Sequence, residues 1–121
     1  MARPEFDLIV TIVNRGFSDQ VMEAAKEAGA HGGTVVLARG TGLEDAEKFF
    51  GISITPEKEL VLILVREEKR TPVMQAIGHE AGLMTEAGGI CFSLPVDEVV
   101  GAVRTLRKAG EAQGSVSSDS E

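Results

Sequence analysis

Apolar residues in this chain come in short runs separated by polar and glycine-rich segments, and the runs repeat. Asp7-Leu-Ile-Val-Thr-Ile-Val13 returns as Glu59-Leu-Val-Leu-Ile-Leu-Val65, and the same shift of 52 positions carries Val21-Met22-Glu23-Ala24-Ala25 onto Val73-Met74-Gln75-Ala76-Ile77. Each half continues through an Ala-Gly pair (Ala28-Gly29, Ala81-Gly82) and a Gly-Gly pair (Gly32-Gly33, Gly88-Gly89) into another apolar run. Short runs rich in β-branched residues read as strands, and the segments between them as helices, so the pattern predicts strand–helix–strand twice over.

The elements follow in order. A strand is predicted at about Phe6 to Asn14, then a helix with Ser18 as N-cap and Asp19 in its first turn. Val21, Ala25 and Ala28 share one side of that helix. A second strand runs from Thr34 to Ala38, and a long polar and glycine-bearing loop from about Gly40 to Lys58. The third strand is Glu59 to Val65. A second helix opens at Thr71-Pro72, an N-cap followed by proline at the first helical position, and ends near Gly82. The fourth strand spans Ile90 to Leu94. Pro95 then opens a third helix, with Val99, Val100, Val103 and Leu106 on one face and Arg104, Arg107 and Lys108 in its last turns.

Two halves of this kind predict an α+β, ferredoxin-like fold: a four-stranded antiparallel sheet with helices on one face and a long loop after the second strand. Strand alternation sharpens the picture. Leu8, Val10 and Ile12 point one way and Ile9, Thr11 and Val13 the other, while Leu60 to Val65 are apolar on both parities. The two repeated helices cover one face, so the other needs an apolar cover. A symmetric homo-oligomer supplies it; the alternative is that the third helix folds back over it.

Composition narrows the function classes. With 121 residues the chain holds one domain, read here as residues 1–109, and its 43% apolar content suits a folded core. Residues 110–121, rich in Ser, Gly and acids, are expected to form a disordered acidic tail. Tyr and Trp are absent, there are five Phe, and the net charge of −7 repels a phosphate backbone. No nucleic-acid partner is therefore expected. Cys91 is the only cysteine, which excludes an intrachain disulfide and a thiol-rich metal cluster. The longest apolar runs are strand-length and the N-terminus lacks a signal-peptide stretch, so a cytoplasmic protein is expected.

Chemistry-bearing residues are few. His31 lies in a glycine-rich turn and His79 on a helix, without metal-ligand neighbours at useful spacing. Cys91 falls in an apolar strand, where a buried inert thiol is the usual outcome. Asp97-Glu98 suit a helix start better than paired-carboxylate chemistry. No catalytic residue, metal or cofactor is expected. Gly40-Thr-Gly42, at a strand end, either serves the turn or offers N–H groups to an anion. The loop after it is long enough to be functional. Its Leu43 to Phe50 segment has the spacing of about two helical turns, with Glu44 and Lys48 paired, and Phe49 and Phe50 either anchor the loop or await a partner. The longer Gly82–Gly89 segment is either a functional loop or a wider turn.

The double βαβ pattern, the long loop opening with Gly40-Thr-Gly42, and Phe92-Ser-Leu-Pro-Val-Asp-Glu-Val-Val100 together resemble the nitrogen-regulatory PII signalling family. The resemblance covers about Phe6 to Val100, and Leu94-Pro-Val-Asp-Glu-Val-Val100 is its most specific piece. It implies a non-catalytic homotrimer that binds an adenine nucleotide in clefts between subunits, and a flexible loop, the T-loop, that docks on a membrane transporter or an enzyme. Carried over residue by residue, the nucleotide site falls on Thr34, Gly40, Gly42, Leu64, Ala87, Gly88 and Gly89, and the docking loop on Lys48, Phe49 and Phe50.

The chain departs from the family pattern where the ligand's charge would be met. Ile90 stands where the family places a lysine, and Gly101 and Val103 where it places arginines; Arg39, Arg104 or Arg107 are the candidate substitutes. Without such donors a less charged ligand than ATP, namely ADP, AMP or a cyclic nucleotide, is implied. With no Tyr in the chain, uridylylation of the loop is excluded. The loop also lacks the glutamine that in the family helps to hold Mg-ATP and 2-oxoglutarate. The rival readings are a ferredoxin-like module that binds a small metabolite such as an amino acid, and a structural trimer without a ligand.

Overall fold

The computed structural model describes residues 4–40, 48–49, 52–53, 56–84 and 88–101. In chain order the elements are β1 (Phe6–Asn14), α1 (Ser18–Glu27), β2 (Thr34–Arg39), β3 (Lys48–Phe49), β4 (Ile52–Ser53), β5 (Glu57–Arg66), α2 (Arg70–Glu80) and β6 (Ile90–Val96). Four of these make one sheet in the order β2-β5-β1-β6, with every neighbouring pair antiparallel. This is the ferredoxin-like arrangement the repeat predicts, with the first strands of the two halves side by side at the centre.

The repeat is the symmetry of the core. Ile9 and Val61, Val13 and Val65, Val21 and Val73, and Ala25 and Ile77 are related by the same shift, and all eight are buried in one cluster. The odd-numbered positions of β1 and β5 therefore face the helices. The even-numbered positions face the other way, where Leu8, Leu64 and Leu94 are aligned in register, as are Val10, Leu62 and Phe92. Neither α1 nor α2 packs on this second face; along β6 Ile90, Phe92 and Leu94 stand 40–55% exposed on it, while Phe6 and Val10 of β1 are buried.

Each glycine pair lets the chain enter the sheet flush against a neighbour. A Cβ on Gly33 would lie 2.9 Å from Ile63 Cγ1, and one on Gly89, where φ is +127°, 2.8 Å from Leu83 Cδ2 and 3.0 Å from the Ile12 carbonyl oxygen. Contacts that short do not occur, so Gly89→Ala forces β6 away from β1. We expect it to lower the midpoint of thermal unfolding by several degrees, read by circular dichroism; an unchanged midpoint would contradict the packing described.

Four local expectations are corrected. Ser18 is not the N-cap of α1: Phe17 holds that position without a side-chain bond, and Ser18 is the first helical residue. The cap comes from β5, where the Glu59 carboxylate accepts the N–H groups of Gly16 (3.2 Å) and Ser18 (3.1 Å). The Ser18 hydroxyl, followed by these backbone donors and Arg15, holds the Glu59 carboxyl below the usual carboxylate range. A depressed folded pKa contributes stability above the unfolded value of about 4.3, and that contribution is lost as pH falls through the folded one. We expect Glu59→Gln to cost about 0.5–1 kcal/mol at pH 7 and progressively less as pH falls through the folded pKa, measured by urea unfolding.

The second helix starts one residue before the expected Thr71, after a 3₁₀ turn over Glu67–Lys69, and Pro72 sits in its first turn, where no N–H is needed. The third helix does not open at Pro95. Pro95 and Val96 continue β6, paired with Asp7 and Phe6, and Asp97 to Gly101 are not helical, with Val100 almost fully exposed. An edge strand tolerates a proline because one side of its backbone has no ladder to serve. Val103, Leu106 and the basic residues after them lie outside the described residues, as does the tail from Gly110. Finally, the helix expected over Leu43–Phe50 does not include Lys48–Phe49, which pair with Ile52–Ser53 as a short β-ribbon. Phe49 and Ile52, register partners in it, are both residue types that favour strands. Phe50 itself, and the side chains of Lys48 and Phe49, lie outside the description.

Among the described residues no helix is long and apolar enough to cross a membrane.

Candidate functional site

Sheet order decides which of the expected ligand residues can meet. Thr34 opens β2 opposite Leu62, and Leu64 lies two residues further along β5 on the same helix-free face. Gly40 follows the other end of β2, about 20 Å from Thr34 along the strand. Gly88 and Gly89 lead into β6 at the opposite edge, three strand spacings or about 14 Å away. Gly42 and Ala87 lie outside the described residues. One copy of the chain thus does not bring Thr34, Gly40 and Leu64 together with Gly88 and Gly89. A cleft that holds all of them needs the β2 edge of one copy to face the β6 edge of another.

The backbone groups are not equally available. Gly40 N–H already donates to the Pro56 carbonyl oxygen at 3.3 Å, extending the β2–β5 ladder one step past Arg39. An anion that takes this N–H has to displace that bond, which is long and correspondingly weak. Gly88 and Gly89 have φ of +69° and +127°. Consecutive positive-φ glycines turn the backbone in ways that side-chain-bearing residues resist.

Charge at the site is sparse on one edge and arranged on the other. Ile90, half exposed on the helix-free face opposite Ile12, brings no positive group to the β6 edge. Gly101 has φ of +124°, a conformation that an arginine would strain to adopt, so its replacement is built into the backbone. On the other edge, Arg39, Arg15 and Lys58 gather where the loop leaves and rejoins the sheet. Lys58 Nζ donates to Asn14 Oδ1 at 2.7 Å on the helix-free face, and Arg15 pairs with Glu57 on the helix side. Asn14, Arg15 and Lys58 were not among the expected site residues. The alternation Glu57-Lys58-Glu59 was the available signal, since at a strand start it sends the lysine alone to one face.

The remaining reactive groups do not converge. His31 and His79 are exposed on separate turns and helix ends, and among the described residues no three His, Cys, Asp or Glu side chains gather as a metal site. Cys91 is half-buried on the helix side of β6, its Sγ 3.5 Å from the donating Thr11 hydroxyl, and burial pushes its thiol pKa up. A raised pKa leaves less thiolate at neutral pH. Labelling by a disulfide reagent at pH 7 is expected to run at least about tenfold slower in the folded protein than in urea, and equal rates would refute the buried placement.

Comparison with known proteins agrees with this fold. The family model for the nitrogen regulatory protein P-II matches residues 6–107. No curated protein sequence matches the chain. Among solved structures, Arabidopsis thaliana PII bound to citrate is similar, with 29% identity, a TM-score of 0.63, and coverage of 85% of this chain and 84% of that one. The fold thus places the chain in a class of small regulatory proteins. It belongs to the P-II nitrogen regulatory protein family.

Proposed function

We propose that this protein is a cytoplasmic, non-catalytic regulator that binds an adenine nucleotide between subunits of a homotrimer and acts on a partner through the loop between β2 and β5. The observation that carries the reading is the division of the site. Thr34, Gly40 and Leu64 lie towards one edge of the sheet and Gly88 and Gly89 at the other, on a sheet whose helix-free face is apolar. Assembly through that face offers a second copy's edge to complete each cleft. Backbone N–H groups and apolar side chains suit an adenine ring and one or two phosphates, with Arg39 the exposed cation at the loop base. ADP or AMP fits this charge better than ATP.

Isothermal titration with ATP, ADP, AMP and cyclic AMP, with and without magnesium, tests the reading. Saturable binding near one site per chain, tightest for ADP or AMP, is the expected result; absence of binding to all four would overturn it. A second reading, a small carboxylate ligand, draws on the citrate-bound PII structure and on Lys58 at the loop base, and citrate belongs in the same titration. For the loop, Phe49→Ala/Phe50→Ala is expected to abolish capture of a transporter or enzyme partner and leave nucleotide binding intact. Retained capture would remove the loop's role.

A further inference from the structure

The long loop rejoins the sheet through three consecutive charged residues at the start of β5, and the last residue of β1 and the turn that follows it engage each of them. On the helix side, Arg15 Nη1 donates to the Glu57 carboxylate, and the Arg15 N–H donates to the Glu57 carbonyl oxygen at 3.2 Å. Arg39 is the register partner of Glu57 on its other flank, so the carboxylate stands between two guanidinium-bearing positions. Glu59 accepts the N–H groups of Gly16 and Ser18 at 3.2 and 3.1 Å, where the partial positive charge of the helix start favours a carboxylate. On the opposite face Lys58 reaches Asn14 at 2.7 Å. The stem of the loop is thereby tied to the turn and first residue of α1 on the helix side of the sheet, and to the end of β1 on the other.

We propose that Glu57, Lys58 and Glu59 form an electrostatic clamp that couples the loop stem to the N-terminus of α1, so that displacement of the stem uncaps the helix. The clamp has two tiers. The outer tier, Arg15–Glu57, is solvent-exposed, with side chains 66% and 47% accessible, and yields first to salt. The inner tier, Glu59 on the Gly16 and Ser18 amides, opens only once the stem has moved. This coupling holds in the free protein and does not depend on which ligand the cleft takes.

Amide hydrogen exchange read by NMR tests the clamp in the intact chain. Arg15→Ala, Glu57→Ala and Glu59→Gln are each expected to speed exchange at Gly16 and Ser18 by about threefold to fivefold, with the Ile9 and Val61 amides unchanged. Arg15→Ala/Glu57→Ala should be no faster than either single variant, because both remove the same contact. Sodium chloride at high concentration should reproduce the Arg15→Ala rate in the unmodified protein. Exchange at Gly16 and Ser18 that ignores Arg15 and Glu57, or single effects that multiply in the double variant, would overturn the coupling.

Discussion

Leu62→Glu is expected to dissociate the assembly while leaving the subunit folded. Leu62 lies in the middle of the helix-free face, flanked in register by Val10 and Thr34, and makes no part of the buried cluster against the helices. Leu62 is partly exposed in the single chain, so a carboxylate there keeps contact with water in an isolated subunit. Buried against a second copy, it finds no cation among its nearest described companions on that face of its own sheet, Val10, Thr34, Leu60 and Leu64. An unpaired buried charge costs several kcal/mol, so each interface weakens by roughly 10²-fold or more. Sedimentation should show the unsubstituted protein as an oligomer and Leu62→Glu as a monomer with the same far-ultraviolet circular dichroism. A monomeric unsubstituted protein would remove the assembly and, with it, the shared cleft.

Arg70→Ala is expected to be the most damaging loss of an ion pair among the described residues of one subunit. Asp7, on β1 and only 2% exposed, points to the helix side, where Arg70 at the start of α2 donates to its Oδ2 at 3.2 Å. Deleting the guanidinium takes a charged donor from a buried carboxylate, and changes of that kind cost up to about 3 kcal/mol. For a domain of this size the thermal midpoint falls by on the order of 15 °C. Asp7→Asn/Arg70→Ala should recover part of the loss, because the charge that needed the partner is gone. The exposed Arg66–Glu5 pair gives the contrast: with both side chains reaching water, Arg66→Ala should cost less than about 1 kcal/mol. Equal losses at Arg66 and Arg70 would show that burial of Asp7 does not set the energy.

The elements that were legible share one property, that their signal is local and repeated. β1 was bounded at Phe6 and Asn14 as observed, and the copies at Val21 and Val73 marked helices that pack side by side. The elements misplaced were those whose conformation is set by a distant neighbour. Ser18 has the chemistry of a cap, but Glu59, 41 positions away, takes the helix end, because β5 brings its carboxylate there. Pro95 has the chemistry of a helix start, but the pairing of Asp7 keeps it in a strand. Lys48 and Phe49 looked helical beside Glu44, and a partner at Ile52–Ser53 makes them a ribbon.

The candidate site follows the same division. Thr34, Gly40, Leu64, Gly88 and Gly89 were named from motifs, yet no motif says that a sheet in the order β2-β5-β1-β6 sets two of them at the edge opposite the others. Nor does a motif give Gly40 N–H to Pro56, or Lys58 to Asn14. By itself the sequence determined the repeat, the two-sided apolar strands and the glycines that have no room for a Cβ, because side-chain size and alternation act within a few residues. The tertiary structure alone decided which parity of the central strands packs on α1 and α2, which carboxylate caps α1 and which backbone groups are taken up within the sheet. Those depend on pairings between residues from 16 to 90 positions apart, whose geometry no local pattern encodes.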